Sequence, residues 1–384
     1  MTDALDGIRV LDFTTTIAGP HCTRLMADLG ADVIKIEAPE GDMMRTRPPL
    51  RDGASATFAH LNAGKKSVAL DLKKPAAVAA VKRLVAGTDV VVENYRPGVM
   101  RRLGLDYDTL KAIKPDLIFC AISGYGQDGP GADRPAYAPV VHAATGYDLA
   151  HLTYQLDHRD RPDFNGIFVA DFMAGAYAFG GIMTALVQKR ATGLGQMVDL
   201  AMYDAMLALL MSEFQRAQFP MELPSRPMYG PVKAKDGYII IATASERTFV
   251  DLAKAAGHPE WLEDPRFAKY ADRRKNWGAF MDAFESWSGT VPIAELVPIL
   301  EKHSVPCSPY RTVKEALDDP QAKHRGIMEM VRDKGGLCGV PNPPFRLSQA
   351  TTRARGFTAD LGEHTEAVLR AAGLSDAEVA AATA

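Results

Sequence analysis

Ile8-Arg-Val-Leu-Asp-Phe13 is a short apolar run, Gly19-Pro20 opens an interval that closes on Leu29-Gly30, and Asp32-Val-Ile-Lys-Ile-Glu37 is a second apolar run. The pattern reads strand, helix, strand. Proline is preorganised for a first helical turn and glycine for the residue that ends one. A βαβ unit of this length opens a doubly wound, Rossmann-like α/β fold with a parallel sheet. The alternation continues outward from it. Ser67–Leu72 reads as a strand, Pro75–Ala86 as a helix, and Asp89–Asn94 and Asp116–Ser123 as further strands. Their nearly unbroken apolar character is that of parallel strands covered on both faces.

In such a sheet, ligands meet the carboxyl ends of the strands. Those ends carry Lys73 and Lys74, Asn94 and Tyr95, and Gly124-Tyr125-Gly126. With Lys65, Lys66, Arg101, Arg102 and Arg134 they form a basic rim able to neutralise a polyphosphate, arginine by paired contacts and lysine by point contacts. The opening invites a dinucleotide reading, which the turn does not support. Glu37 stands where an acid holds a ribose hydroxyl, but the turn Thr15-Thr16-Ile17-Ala18-Gly19-Pro20-His21 has one glycine where the fingerprint needs three, and Pro20 removes an N–H from the helix mouth.

With 384 residues, 47% hydrophobic and 24% charged, the composition is that of a soluble globular chain long enough for two domains. A formal charge of −3 argues against a nucleic-acid partner held by bulk electrostatics. The expected compartment is the cytoplasm, with no membrane partner. The start shows no secretory pattern, and apolar stretches such as Ala201–Met211 are interrupted and short. Cys22, Cys120, Cys307 and Cys338 are scattered, which predicts reduced, mostly buried thiols and no metal site.

One acid stands out. Asp171 heads an apolar run in which Gly175, Gly180, Gly181 and several alanines fall at close-packing helical spacing. At a helix start, an aspartate either caps the helix or, with small neighbours leaving room for a carbonyl, serves as a nucleophile that forms acyl intermediates.

The blocks Leu5-Asp-Gly-Ile-Arg-Val-Leu-Asp-Phe13, Ala18-Gly-Pro-His-Cys-Thr23, Gly30-Ala-Asp-Val-Ile-Lys-Ile-Glu37, Asn62-Ala-Gly-Lys-Lys-Ser-Val-Ala-Leu-Asp-Leu-Lys73 and Val92-Glu-Asn-Tyr-Arg-Pro-Gly98 resemble the family III CoA-transferases. That group includes formyl-CoA:oxalate CoA-transferase, the carnitine CoA-transferases and α-methylacyl-CoA racemase. The likeness continues through the Asp171 helix, Gly193-Leu-Gly-Gln-Met-Val-Asp199 and Leu361-Gly-Glu-His-Thr-Glu366, so it covers nearly the whole chain. The resemblance implies a transferase whose nucleophile is Asp171. It implies coenzyme A contacts at Ile17 and Ala18, at Leu70, Asp71, Leu72 and Lys73, at Asn94, Tyr95 and Arg96, at Arg102, and at Arg134 and Tyr137. Coenzyme A enters as the acyl-CoA substrate, the second substrate is a free carboxylic acid, and no tightly bound cofactor is implied.

Two departures bear on the acceptor acid. Ile17 and Ala38 stand where the formyl-CoA enzyme has a glutamine and an arginine, and the chain passes from Pro227-Met-Tyr-Gly-Pro231 to Lys235 without that enzyme's glycine-rich lid. Both weigh against oxalate. Arg47, Arg51, His60 and Tyr229 are places where a second carboxylate could be met. The alternative activity is racemisation beside the thioester, which needs two acid–base groups. In the racemases a histidine pairs with the aspartate, and that position is Tyr137 here, tyrosine being too weak an acid, with His142 five residues on. A third possibility, a CoA-binding protein without catalysis, needs only the basic rim.

Residues 1–218 are assigned to the large domain. Pro220, Pro224, Pro227 and Pro231 mark a linker over 219–234. A small α/β domain follows over 235–325, with a strand at Gly237–Ala244 and helices at Arg247–Ala256, Arg273–Trp287 and Val291–His303, while Pro306-Cys-Ser-Pro309 and then Thr312–Leu317 resemble the small domain of that family. Trp261 and Trp277 are expected in its core. Residues 326–384 return to the large domain through Ile327–Val331 and Pro341–Leu347 and end in two helices, Thr365–Ala372 and Ser375–Ala382. The resemblance further implies an interlocked homodimer.

Overall fold

The structure is a computed structural model that describes residues 2–155, 161–162, 165–221, 226–243 and 245–384; Pro224 of the expected linker and Ala244 of the expected strand lie outside these. The chain divides into two compact units, one of residues 1–147, 164–211 and 321–384, the other of 148–163 and 212–320.

The first unit is built on a six-stranded sheet. Its strands are β1 (Arg9–Asp12), β2 (Asp32–Glu37), β3 (Lys66–Ala69), β4 (Val90–Glu93), β5 (Ile118–Ser123) and β6 (Met197–Ala201). They lie in the order β3-β2-β1-β4-β5-β6, every neighbouring pair parallel. This is the doubly wound order, and its direction reverses between β1 and β4. Every residue of β4 and β5 is buried, as the unbroken apolar runs predict. The pleat sends Val10, Val90 and Val92 into one core and Leu11, Val91 and Phe119 into the other, on opposite faces of the sheet.

Six helices matter for the site: α1 (Ala18–Asp28), α2 (Ala56–Asn62), α3 (Pro75–Val85), α4 (Ala138–Ala144), α5 (Val169–Thr192) and α6 (Met202–Leu209). In α5, Ala170, Ala174, Gly175, Ala178, Ile182 and Ala185 recur at helical spacing and are buried. They pack on α1. A Cβ at Gly175 would stand 2.6 Å from the Ala18 carbonyl oxygen and 2.9 Å from the His21 ring, so only glycine permits this approach. By length and composition α5 could cross a bilayer, but its small-residue face is packed in the manner of a core helix.

The C-terminal part completes the same unit. Thr2–Asp3 pairs with Ala350–Thr351, and Leu369, Leu374, Val379 and Ala382 join the core on the α3 side. In the second unit, Val232–Ala234, Gly237–Ile241 and Cys307–Pro309 form an antiparallel sheet. Its core gathers Phe249, Phe280 and Phe284 with Trp261 and Trp277, both buried as expected.

Three local expectations are corrected and one strand is added. The helix expected to run on to about Gln218 is two, α6 and Met211–Gln218, because Leu210 leaves helical geometry at φ −81°, ψ 51°. The helix expected over Arg273–Trp287 breaks at Asn276, whose side-chain amide takes the Asp272 carbonyl oxygen at 2.9 Å and competes with the helical ladder. Met328–Asp333 pairs with Gly336–Pro341 in a hairpin, so the chain returns on a strand that ends at Pro341 and does not begin there. Strand β6 went unassigned because Met197–Ala201 is an edge segment of mixed burial with no apolar run to announce it.

Candidate active site

Where the strand order reverses, the loops leaving β1 and β4 part and open a crevice at the carboxyl edge of the sheet. A cavity of about 230 Å³ lies there. It is walled by Thr15 and Thr16 after β1, Asn94, Tyr95 and Arg96 after β4, Ser123 and Gly124 after β5, Arg134, Ala136 and Tyr137 ahead of α4, Ala18 of α1 and Asp171 of α5. That space admits a small organic group.

The walls are fixed from within the protein. The Asn94 side chain accepts the Thr15 N–H and donates to the Thr15 carbonyl oxygen, both at 2.8 Å, which ties the loop after β1 to the end of β4. Below, the buried Asp12 carboxylate accepts the Thr14 N–H at 2.9 Å and the Thr23 hydroxyl at 2.7 Å and pairs with the Lys65 ammonium at 3.0 Å. Lys35 donates to the Thr14 carbonyl oxygen at 2.6 Å and pairs with Asp42 at 3.1 Å. Gripped in this way, the loop holds Thr16 at φ 70°, a left-handed conformation that costs a non-glycine residue about 1–3 kcal/mol.

Asp171 is the third residue of α5, and Phe168 is the N-cap, so helix capping is not the role of this carboxylate. It is the one acid among the residues lining the cavity. No hydrogen bond or ion pair engages it among the described residues, and burial alone pushes its pKa up to about 7. The first turn of a helix favours the anion, while desolvation leaves that anion poorly stabilised and reactive. Arg96 and Arg134 share the wall, both exposed and neither paired with a carboxylate among the described residues. Arg134 also lies 5.9 Å from the centre of the Tyr125 ring.

The cavity therefore gathers Ala18, Asn94, Tyr95, Arg96, Arg134, Tyr137 and Asp171 from the sequence-predicted set. It does not include Ile17, Leu70, Asp71, Leu72, Lys73 or Arg102. Ile17 turns into a cluster with Met44, Phe58 and Leu61. Leu70 is buried in the core, and Leu72 packs against it. Asp71 closes a turn by accepting the Lys73 N–H at 3.0 Å. Lys73 and Arg102 are exposed. Lys65 corrects the basic rim, because it is fully buried and bound to Asp12, Asn62 and the Pro20 carbonyl oxygen. Glu37 is engaged bidentately by Arg45 and by the Ser67 hydroxyl, which leaves it unavailable to a ribose.

The remaining candidates scatter. Arg51 pairs with Asp333 at 2.7 Å, Arg47 is exposed, His60 lies beside the Phe172 ring, and Tyr229 is exposed in the second unit. His142 is fully buried and its Nε2 accepts the Ala170 N–H at 3.0 Å, so it faces the helix start and not the cavity. Thr15, Thr16, Ser123 and Ala136 escaped the sequence reading as lining residues. For the first three, the signal was their place just after, or at the end of, an apolar strand.

A model of CoA-transferase family III matches residues 5–365. The chain is 32% identical over 377 residues to succinyl-CoA:glutarate CoA-transferase of Mus musculus, with 95% of this chain and 86% of that one covered. It is 35% identical over 354 residues to acetyl-CoA:oxalate CoA-transferase of Acetobacter aceti, with 89% of each covered. Its fold matches a CAIB/BAIF family protein from Brucella suis with a TM-score of 0.83 at 33% identity, over 97% of this chain and 100% of that one. A family match that runs from ahead of β1 to the C-terminal helices, over a sheet whose switch point opens beside a lone, partly buried carboxylate, makes this chain a transferase belonging to CoA-transferase family III.

Proposed function

We propose that the protein moves CoA from an acyl-CoA thioester to a free carboxylic acid through covalent intermediates on Asp171. The observation that carries this is the partly buried Asp171 carboxylate, unpaired among the described residues and the one acid among those lining the switch-point cavity.

In the first step an Asp171 oxygen attacks the thioester carbon. The C–S bond breaks, CoA thiolate leaves, and an aspartyl mixed anhydride remains. The thiolate then attacks the aspartyl carbonyl, releasing the donor acid as its carboxylate and leaving an aspartyl-CoA thioester. The acceptor carboxylate attacks that thioester, expelling thiolate and forming a second anhydride. Thiolate attack on the acceptor's acyl carbon gives the new acyl-CoA and restores Asp171. No proton need change hands, and each oxyanion requires donors close by.

The cavity's size supports a binding mode in which the thioester enters and the nucleotide end stays outside. There Lys73 and Arg102, both exposed, would meet phosphates. The relatives named above act on glutarate or oxalate, which supports a dicarboxylate acceptor whose second carboxylate meets Arg96 or Arg134. Ile17, apolar and turned inward, offers nothing to a carboxylate as short as oxalate. A racemase would need a second acid–base group at the cavity, and His142 is committed to Ala170. We further propose a homodimer in the reducing cytoplasm. The apolar, exposed Tyr177 and Val187 on α5 support the first, and four unpaired cysteines suit the second.

The test is to incubate the protein with succinyl-CoA or acetyl-CoA and a panel of dicarboxylic acids, following thioesters by mass. A new acyl-CoA formed from an added acid is the expected result. Deuterium uptake at the α-carbon from heavy water, with no acid-dependent thioester, would replace transfer by racemisation.

A further inference from the structure

His142 has no part in the exchange just described, yet it is fully buried against the start of α5. The Ala170 N–H that its Nε2 accepts is one of those at a helix start that no carbonyl within the helix can reach. Phe168, at the N-cap, contributes no side-chain acceptor. An imidazole from a neighbouring helix thus takes the place usually filled by a capping Ser, Thr or Asp, one residue ahead of Asp171.

The same ring packs on Tyr147 with centroids 4.9 Å apart. The Tyr147 hydroxyl accepts from the Asn165 side-chain N–H at 3.0 Å, and the Oδ1 of the same side chain accepts the Ile167 N–H at 2.9 Å. The segment that delivers Asp171 to the cavity is therefore fastened at both ends to one aromatic pair.

We propose that His142 is a positioning residue, a helix cap that fixes the first turn of α5 so that the Asp171 carboxylate keeps its aim into the cavity. The proposal rests on Asp171 being the nucleophile. His142 acts through the Ala170 backbone and touches no substrate. Loss of the cap would loosen the turn, and a displacement of about 1 Å at a reacting group costs on the order of a hundredfold in rate. Glutamine can rescue it, because its amide oxygen reaches about where Nε2 sits and accepts a hydrogen bond in the same way.

The test compares His142→Phe, His142→Leu and His142→Gln with the natural enzyme and with Asp171→Ala, measuring kcat, KM for acyl-CoA and thermal stability. The expected result is a fall in kcat of about 10- to 100-fold for the Phe and Leu variants. KM should stay within about threefold, and the Gln variant should recover kcat to within about threefold. Wild-type kcat in either apolar variant overturns the proposal, and so does a Gln variant as slow as they are. Should the Phe variant not fold, Leu and Gln decide between them. An inactive Asp171→Ala beside a fully active His142→Leu would sink the capping role alone, whereas an active Asp171→Ala would remove the nucleophile on which it rests.

Discussion

At Asp171 two demands oppose each other. The nucleophile must be ionised, yet the burial that makes the anion reactive also raises its pKa to about 7. Transfer should therefore rise with pH, pass half-maximum near neutrality and fall about tenfold per unit below it, as read from a kcat/KM profile. Asp171→Asn should lower kcat by about a thousandfold or more while CoA affinity survives. Linkage adds a stability effect of definite sign. A folded pKa above the unfolded one stabilises the fold at pH below about 4, and that contribution is lost as pH rises through about 7. At pH 8, Asp171→Asn should then be more stable than the natural chain by about 1 kcal/mol or more, with the difference fading at pH 4, as denaturant titrations would measure. Asp171 could be picked out in the sequence because it is the lone acid heading an apolar run. The role of Asn94 could not be read there, since its partner Thr15 lies 79 positions away and meets it only because β1 and β4 are neighbours.

Among the elements, α1 and α5 set the position of the nucleophile by their close approach. Gly175→Val would force a side chain into the Ala18 carbonyl and the His21 ring, costing about 1–3 kcal/mol and shifting the first turn of α5. Both the melting temperature and kcat should fall, and a Val variant with native values of both would remove this contact from the account. The helical spacing of small residues made α5 legible. The buried charges beneath the β1 loop were not. Asp12 and Lys35 read as ordinary members of strands, and what they do depends on Lys65 and Asp42 arriving from distant segments. The breaks at Leu210 and Asn276 were hidden for a related reason, because helical periodicity continues across them.

For the molecule as a whole, the doubly wound order was largely set out by the alternation of apolar runs and helices. It was incomplete at the edge strand β6, and outside that sheet the hairpin near the C-terminus and the strands Val232–Ala234 and Cys307–Pro309 were not read. The switch point then followed from topology, and with it the site. The exposed apolar face of α5, with Tyr177 and Val187, is expected to be covered by a second copy of the chain. Light scattering should give the mass of a dimer, and Val187→Glu should shift it toward the monomer. A natural chain that scatters as a monomer at micromolar concentration would refute that assembly. The most direct test of the central claim is to quench the enzyme during turnover of an acyl-CoA with hydroxylamine and map the modified peptide by mass. The account predicts a hydroxamate at Asp171 that appears only with acyl-CoA present; an unmodified residue 171 in an enzyme that is turning over, or a hydroxamate on another acid such as Glu93 or Asp199, would contradict it.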